Sequence, residues 1–415
     1  MSKKNKKDHQ TPQPLEGHRL KTRRDFLGQG LIAGLSYAIA PNIFSLFSKG
    51  NMAHAIECGA VDTSVMGQKT PIIVFDLSGG ANFAGSNVMV GGVGGQTDFL
   101  QDYTTLGLPP DFHPSLSGMV NSELGLKFHS DSGFLRGINN IIPTAVRQKV
   151  DGGVFCTSSS DDTGNNPHNP MYWLSKAGAA GELTQLAGSR NTETGGRSTA
   201  PPQSIDPALQ PVIITRPEDA LSLVSVGKLH EIFNQNQAQK IMKSIERLSE
   251  SKLQRLSNMS LPSQIKTLVQ CGYIQSNDLI NKYNADVLDP RNDALVGMAF
   301  NNLGNGDQRK TATIAKLVLD GYIGAGTIEK GGYDYHDKTR ATGENRDFQA
   351  GELIGRVIQL ASLKGKDVMI YVITDGGVAA KAEVDNSTDG RGKYVWTGDS
   401  SQRSSAWMLV YRHAG

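Results

Sequence analysis

The chain has 415 residues, with 42 Lys and Arg against 40 Asp and Glu, a formal charge of +2. Eight of the basic residues, against only Asp8 and Glu16, stand in the first 24 positions, so residues 25–415 carry 34 basic and 38 acidic groups, a net −4. A mildly acidic body excludes the electrostatic footprint of a nucleic-acid-binding protein.

Arg23 and Arg24 precede Phe26-Leu27 and a charge-free stretch running to Phe47. Paired arginines ahead of an apolar run form the signature read by the twin-arginine translocase. Gly28, Gly30, Gly34, Ser36 and Pro41 dilute the stretch, which suits a removable signal better than a spanning helix. Ala53-His54-Ala55 supplies the small-x-small pattern of a cleavage site. Residues 1–55 are therefore expected to be a signal and cleavage region, an uncleaved anchor being the alternative. Residues 56–415 are expected to be one soluble periplasmic or secreted domain with no stable membrane span. The route carries folded proteins, often with a metal or cofactor already in place. Cys58, Cys156 and Cys271 contain no C-x-x-C, so they point to no zinc ribbon; an oxidising compartment permits one disulfide, of no particular pairing.

Along the body, apolar runs end at polar or glycine-rich corners. Ile72–Phe75 meets Asp76-Leu77-Ser78-Gly79-Gly80, and Gly153–Cys156 meets a Ser- and Asp-rich loop. Pro211–Thr215, Tyr322–Ile328 and Asp367–Thr374 read the same way. Runs of this kind predict strands buried on both faces. Residues 187–209, rich in Gly, Ser, Thr and Pro, predict an exposed loop. Residues 229–285 predict a helical excursion, with Ile232, Phe233, Ile241, Ile245, Leu248, Leu253 and Leu256 as its stripe; a coiled-coil partner helix is the other reading. Thr313–Leu319 predicts a short helix. Phe348, Ala350, Leu353, Ile354, Val357, Ile358 and Ala361 predict a longer one leading into the last apolar run. Strands alternating with helices predict an α/β fold, a mostly parallel sheet with helices on both faces.

In such a sheet, side chains just past the carboxyl ends of the strands converge on one rim. Asp76, Asp334 and Asp375 occupy positions of that kind, and His336 stands two residues past Asp334. Three carboxylates and an imidazole there would repel unless a cation neutralised them. Mixed oxygen and nitrogen donors suit Zn, Mn, Mg or Ca, which polarise an ester oxygen and activate water. Asp76 reads equally as a turn acid capping a helix. Ser78 is the local candidate nucleophile, and a serine in a Gly-rich turn is also a common structural device. Asn82 and His168 are the candidate substrate contacts, His168 reading equally as a loop residue pinning the prolines around it. His113 and His129 read as partly buried polar residues, and Tyr172-Trp173 as core or rim packing.

The body resembles the twin-arginine-exported bacterial proteins grouped as a sulfatase-like family of unknown function, relatives of the alkaline phosphatase and sulfatase superfamily. The matching features are Asp76-Leu-Ser-Gly-Gly-Ala-Asn82, Asp111-Phe-His-Pro114, His168-Asn-Pro-Met-Tyr-Trp173, Gly331-Gly-Tyr-Asp-Tyr-His336 and the strand before Asp375. The resemblance implies an alkaline-phosphatase-like three-layer α/β/α sandwich, divalent metal, and a phosphate or sulfate ester as small substrate. Two departures stand against it. Gly376 occupies a position where the superfamily commonly has His, and Gly398-Asp399-Ser400 replaces a late Asp-His pair. A non-catalytic binding or assembly protein keeping the fold is the alternative expectation.

Overall fold

The computed structural model describes residues 70–158, 168–179, 181–189, 211–220, 285–333, 335, 339–374, 376–401 and 403–414, with single positions at 223, 240, 244 and 247. All of them belong to the unit His54–Gly415. The expected signal region 1–55, and all but isolated positions of the expected excursion 229–285, lie outside the described residues. So do Asp334, His336 and Asp375.

The centre is Ile72–Asp76 (β1), whose four apolar residues are followed by an acid. It lies between two parallel neighbours, Ile323–Glu329 (β7) and Val368–Ile373 (β8). Further strands are Val150–Ser158 (β4), Thr184–Gly188 (β5), Val212–Ile213 (β6) and Arg403–Tyr411 (β11). Between them, Val120–Asn121 (β2) pairs with Phe128–His129 (β3), and Gly377–Val384 (β9) with Tyr394–Ser401 (β10), as two small antiparallel ribbons. The main sheet runs β4-β11-β8-β1-β7-β5-β6. Every neighbouring pair is parallel except those of β11, which runs against both β8 and β4. The expectation of an α/β chain with a mostly parallel sheet is met. Ala187 and Gly188, which the sequence reads as the start of a loop, are the end of β5.

Strand alternation sorts the core into two faces. Ile73, Phe75, Ile328, Ile370 and Val372 belong to the larger cluster, with Gly133–Ile141 (α1), Gly306–Leu319 (α4) and Arg340–Leu363 (α5) contributing to it. Val74, Ala325, Leu186 and Ile373 face the other way, against Met171 of the short helix Met171–Lys176 (α2). A further helix, Ala294–Ala299 (α3), is capped by Asp293, whose carboxylate accepts from the Leu295 and Val296 amides.

α1 and α5 cross at glycine. A Cβ on Gly137 would stand 2.1 Å from the Phe348 carbonyl, and one on Gly351 2.3 Å from that of Phe134, so any side chain at either position would drive the helices apart. Ser132 caps α1 by accepting from the Leu135 amide. α4 begins seven residues earlier than its apolar pattern, because Asn305 accepts from the Gln308 amide and extends a polar first turn. β4 departs from its expectation. It is the sheet's edge strand, and Asp151, Phe155, Cys156 and Ser158 are exposed rather than buried. A four-residue apolar run cannot by itself distinguish an edge strand from a central one.

Candidate functional site

The carboxyl ends of β7, β1 and β8 lie side by side, with Asp76 in register with Glu329 on one flank and Ile373 on the other. Asp76 is fully buried at the end of the central strand. Alternation puts it on the face that carries Ile72 and Val74, the face covered by α2. The chain leaves β8 through buried Thr374 immediately before Asp375, and leaves β7 through Lys330 four residues before Asp334. The strands that precede the three sequence-predicted acids in the chain thus end side by side.

The turn after β1 spans this rim. Gly79 and Gly80 have φ of 113° and 99°, in the left-handed region that favours glycine. The turn carries the chain sideways so that the Ala81 amide donates to Thr374 Oγ1 at 2.8 Å, while the Leu77 amide bonds the Ile373 carbonyl at 2.9 Å. On the other flank the Lys330 amide donates to the Asp76 carbonyl, and the Tyr333 amide to the Ser78 carbonyl. Ser78 is only 5% exposed, at the inner edge of this cross-bracing. Asn82 is buried too. Its side-chain amide donates to Ser86 Oγ, and its carbonyl accepts from Asn87 Nδ2 at 2.7 Å.

His168 is half-buried, and burial pushes its imidazole below the usual value, which favours the neutral ring near pH 7. It introduces α2, where Asn169 Oδ1 accepts from the Met171 amide and Met171 is buried against the sheet. Trp173, expected to pack, is 67% exposed. On the β7 side the acids are matched by cations. Lys330 Nζ donates to Asp307 at 2.8 Å, and Lys310 lies 3.6 Å from Asp307 and 3.7 Å from Glu329. Burial pushes Asp307 up, but the two lysines outweigh it and hold the carboxyl below its ordinary range.

His129 is fully buried, with Nε2 on the Phe112 carbonyl and Nδ1 accepting from the Asp131 amide. Burial, reinforced by Lys393, lowers it to about 4. His113 likewise bonds Ser115 and the Leu100 carbonyl. Both read as structural polar residues.

Behind the rim stands a polar wall that the sequence pattern does not announce. Asp347, on α5, is buried. Tyr335 Oη donates to its Oδ1 at 2.7 Å and Asn87 Nδ2 to its Oδ2 at 2.8 Å, while Ser132 Oγ donates to Asn87 Oδ1. Burial, with the Glu344 charge nearby, pushes Asp347 up to about 7. One turn away, Glu344 accepts from Arg340, Lys393 and Arg136 at 2.7–2.9 Å. Burial pushes Glu344 up, but its cations outweigh it and keep it ionised. Arg340 stacks 4.3 Å over the Trp396 ring, and Tyr335 stacks on the same indole. The wall pins Tyr333 and Tyr335, the residues on either side of Asp334, through Arg346, Gly343 and Asp347. One signal exists in the sequence: Arg340, Glu344 and Asp347 recur at helical spacing, in line with the apolar stripe that follows them.

Among the described residues, no group of three or more His, Cys, Asp and Glu is arranged to hold a metal. Three of the four expected ligands, Asp334, His336 and Asp375, lie outside those residues. Asp76 fits the role on its own terms, as an oxygen donor buried at the end of the central strand. No described helix is long and apolar enough to cross a membrane. In comparisons with known proteins, no family model matches the chain, and no curated protein or solved structure matches it significantly.

Proposed function

We propose that the chain is an exported, metal-dependent hydrolase of alkaline-phosphatase-like fold that acts on a phosphate or sulfate ester. The observation that carries this reading is the buried Asp76 at the end of the central strand, flanked by the two strands that lead to Asp334-Tyr335-His336 and to Asp375. Carboxyl-end rims of parallel sheets are where ligands of such folds bind. Asp76, Asp334, His336 and Asp375 would hold a divalent ion, Zn, Mn, Mg or Ca. Bound there, such an ion supplies polarisation of the ester oxygen and an activated water. Ser78 is the alternative nucleophile, and its low exposure restricts it to a small ester that reaches the inner edge of the turn. His168, kept neutral by burial, can accept or donate one hydrogen bond to substrate. Asn82 offers substrate whatever capacity its bond to Ser86 leaves.

The export signal fits this reading, because the twin-arginine route delivers proteins folded around their metal. The competing reading is an exported binding or assembly protein. Gly376, immediately after Asp375, favours it, because it removes an imidazole that the resemblance would place there. Metal quantification on the exported protein, with assays on aryl phosphate and aryl sulfate, separates the two. The enzyme reading expects near-stoichiometric metal and a loss of at least about a hundredfold in activity for Asp334→Ala and His336→Ala. Folded, metal-free and inactive wild-type protein would establish the binding reading instead.

A further inference from the structure

The chain has three tryptophans, and folding treats them differently. Trp396 and Trp407 are buried, whereas Trp173 is 67% exposed. A single exposed apolar residue needs no explanation by itself. The place of this one does. Met171, two residues earlier on α2, is buried in a cluster with Val74 and Ile373, and Ile373 is in register with Asp76. The first turn of α2 therefore lies near the carboxyl ends of the strands. By Glu182, whose amide donates to the Gly321 carbonyl, the chain has reached the opposite end of β7, so α2 runs away from the rim.

Two residues span about 200° on a helix, so Trp173 faces away from the sheet that holds Met171. Helical side chains lean toward the helix N-terminus, which here is the rim end. The indole is thus carried on the outer side of α2 and inclined toward the end of the sheet where Asp76 stands. His168 precedes it, and exposed Lys176 follows three residues on along the same helix face, so polar side chains stand on both sides of it along the chain. An apolar ring face flanked by hydrogen-bonding groups matches a ligand with the same division.

We infer that Trp173 is a stacking platform for the sugar ring of a hexose ester whose phosphate or sulfate is cleaved at the rim. This rests on the hydrolase reading above and narrows its substrate class. One face of a pyranose presents C–H groups, partly positive, to the negative face of the indole, while the hydroxyls at the ring's edge stay available to water and to polar side chains. An aryl group leaves water only when both its faces are covered, and a platform two-thirds exposed covers one. Trp173 holds the substrate without touching the reacting bond, so its contribution belongs to KM rather than to kcat.

Because the other two indoles are buried, the solvent-exposed part of the fluorescence reports Trp173 alone. The full chain is titrated with methyl glucoside, which carries no ester, and with glycerol as the acyclic control. The glucoside should quench the exposed component, glycerol should not, and Trp173→Ala should abolish the change. Hydrolysis is then followed for glucose 6-phosphate and glucose 6-sulfate against glycerol 3-phosphate and propyl sulfate. Trp173→Ala should raise KM for the hexose esters about tenfold, with kcat and the acyclic esters unaffected, and Trp173→Phe should keep most of the wild-type KM. Fluorescence that ignores the glucoside overturns the inference. So does an equal loss on hexose and acyclic esters, or a KM effect larger on phenyl phosphate than on the hexose esters. Wild-type protein that shows the quenching yet releases neither phosphate nor sulfate would uphold the platform and overturn the hydrolase reading.

Discussion

The two halves of α5 are buried alike and held by opposite chemistry. From Ala350 to Ala361 the helix presents Leu353, Ile354, Val357 and Ile358 to the core, a face that needs only shape and removal from water. From Arg340 to Asp347 it presents Arg340, Glu344 and Asp347, each fully or almost fully buried and each dependent on particular partners from elsewhere in the chain. The apolar half fixes the helix to the sheet. The polar half fixes Tyr333 and Tyr335, and the β9–β10 ribbon through Lys393 and Trp396. Apolar burial is indifferent to partner identity. A buried charge is not, because desolvation is offset only by the right counter-charge at the right distance.

Three substitutions sharpen the contrast. Glu344→Ala should destabilise most, by about 4 kcal/mol in denaturant unfolding, because it leaves Arg340 and Lys393 buried beside each other without their shared carboxylate. Ile354→Ala should cost about 3 kcal/mol, as transfer and cavity terms together dictate. A larger loss for Ile354→Ala than for Glu344→Ala would reverse the ordering and make the polar half dispensable.

The smallest effect is the pH dependence of Asp347. Its folded value of about 7 is raised above the unfolded carboxylate value. The acid's contribution to stability is therefore fully present below about pH 4 and is lost as pH rises through about 7. Asp347→Asn removes that dependence, so the variant should gain about 1 kcal/mol on wild type between about pH 6 and 7. His129 runs the other way. Its folded value of about 4 is depressed, so its contribution is complete above the ordinary histidine value and is lost as pH falls toward 4. That background is common to both chains and cancels in the difference. An unchanged difference across the interval would mean that Asp347 is already ionised in the fold.

The strands and the apolar half of α5 were legible because each is announced by its own residues. Ile72–Phe75 and Val368–Ile373 read as buried runs, and Leu353, Ile354, Val357 and Ile358 recur at helical spacing. β4 misled because Gly153–Cys156 looks the same whether one or two strands flank it. β5 and the β9–β10 ribbon passed unnoticed because Thr184–Gly188 and Gly377–Val384 carry little periodic apolar signal. The candidate rim was legible as a list, Asp76, Ser78, Asn82 and His168 together with Asp334, His336 and Asp375, because the residue after an apolar strand can be picked out by eye.

What the sequence alone determined is the alternation of strands and helices and which acids follow which strands, both properties of neighbours along the chain. The tertiary structure alone decided that β7 and β8 flank β1. It also decided that Ser78 and Asn82 are buried, and that Asp347 has Tyr335 and Asn87 as partners. Those are long-range matters: a carboxylate's charge state is set by what folding brings within a few ångströms, not by the residues next to it in the chain.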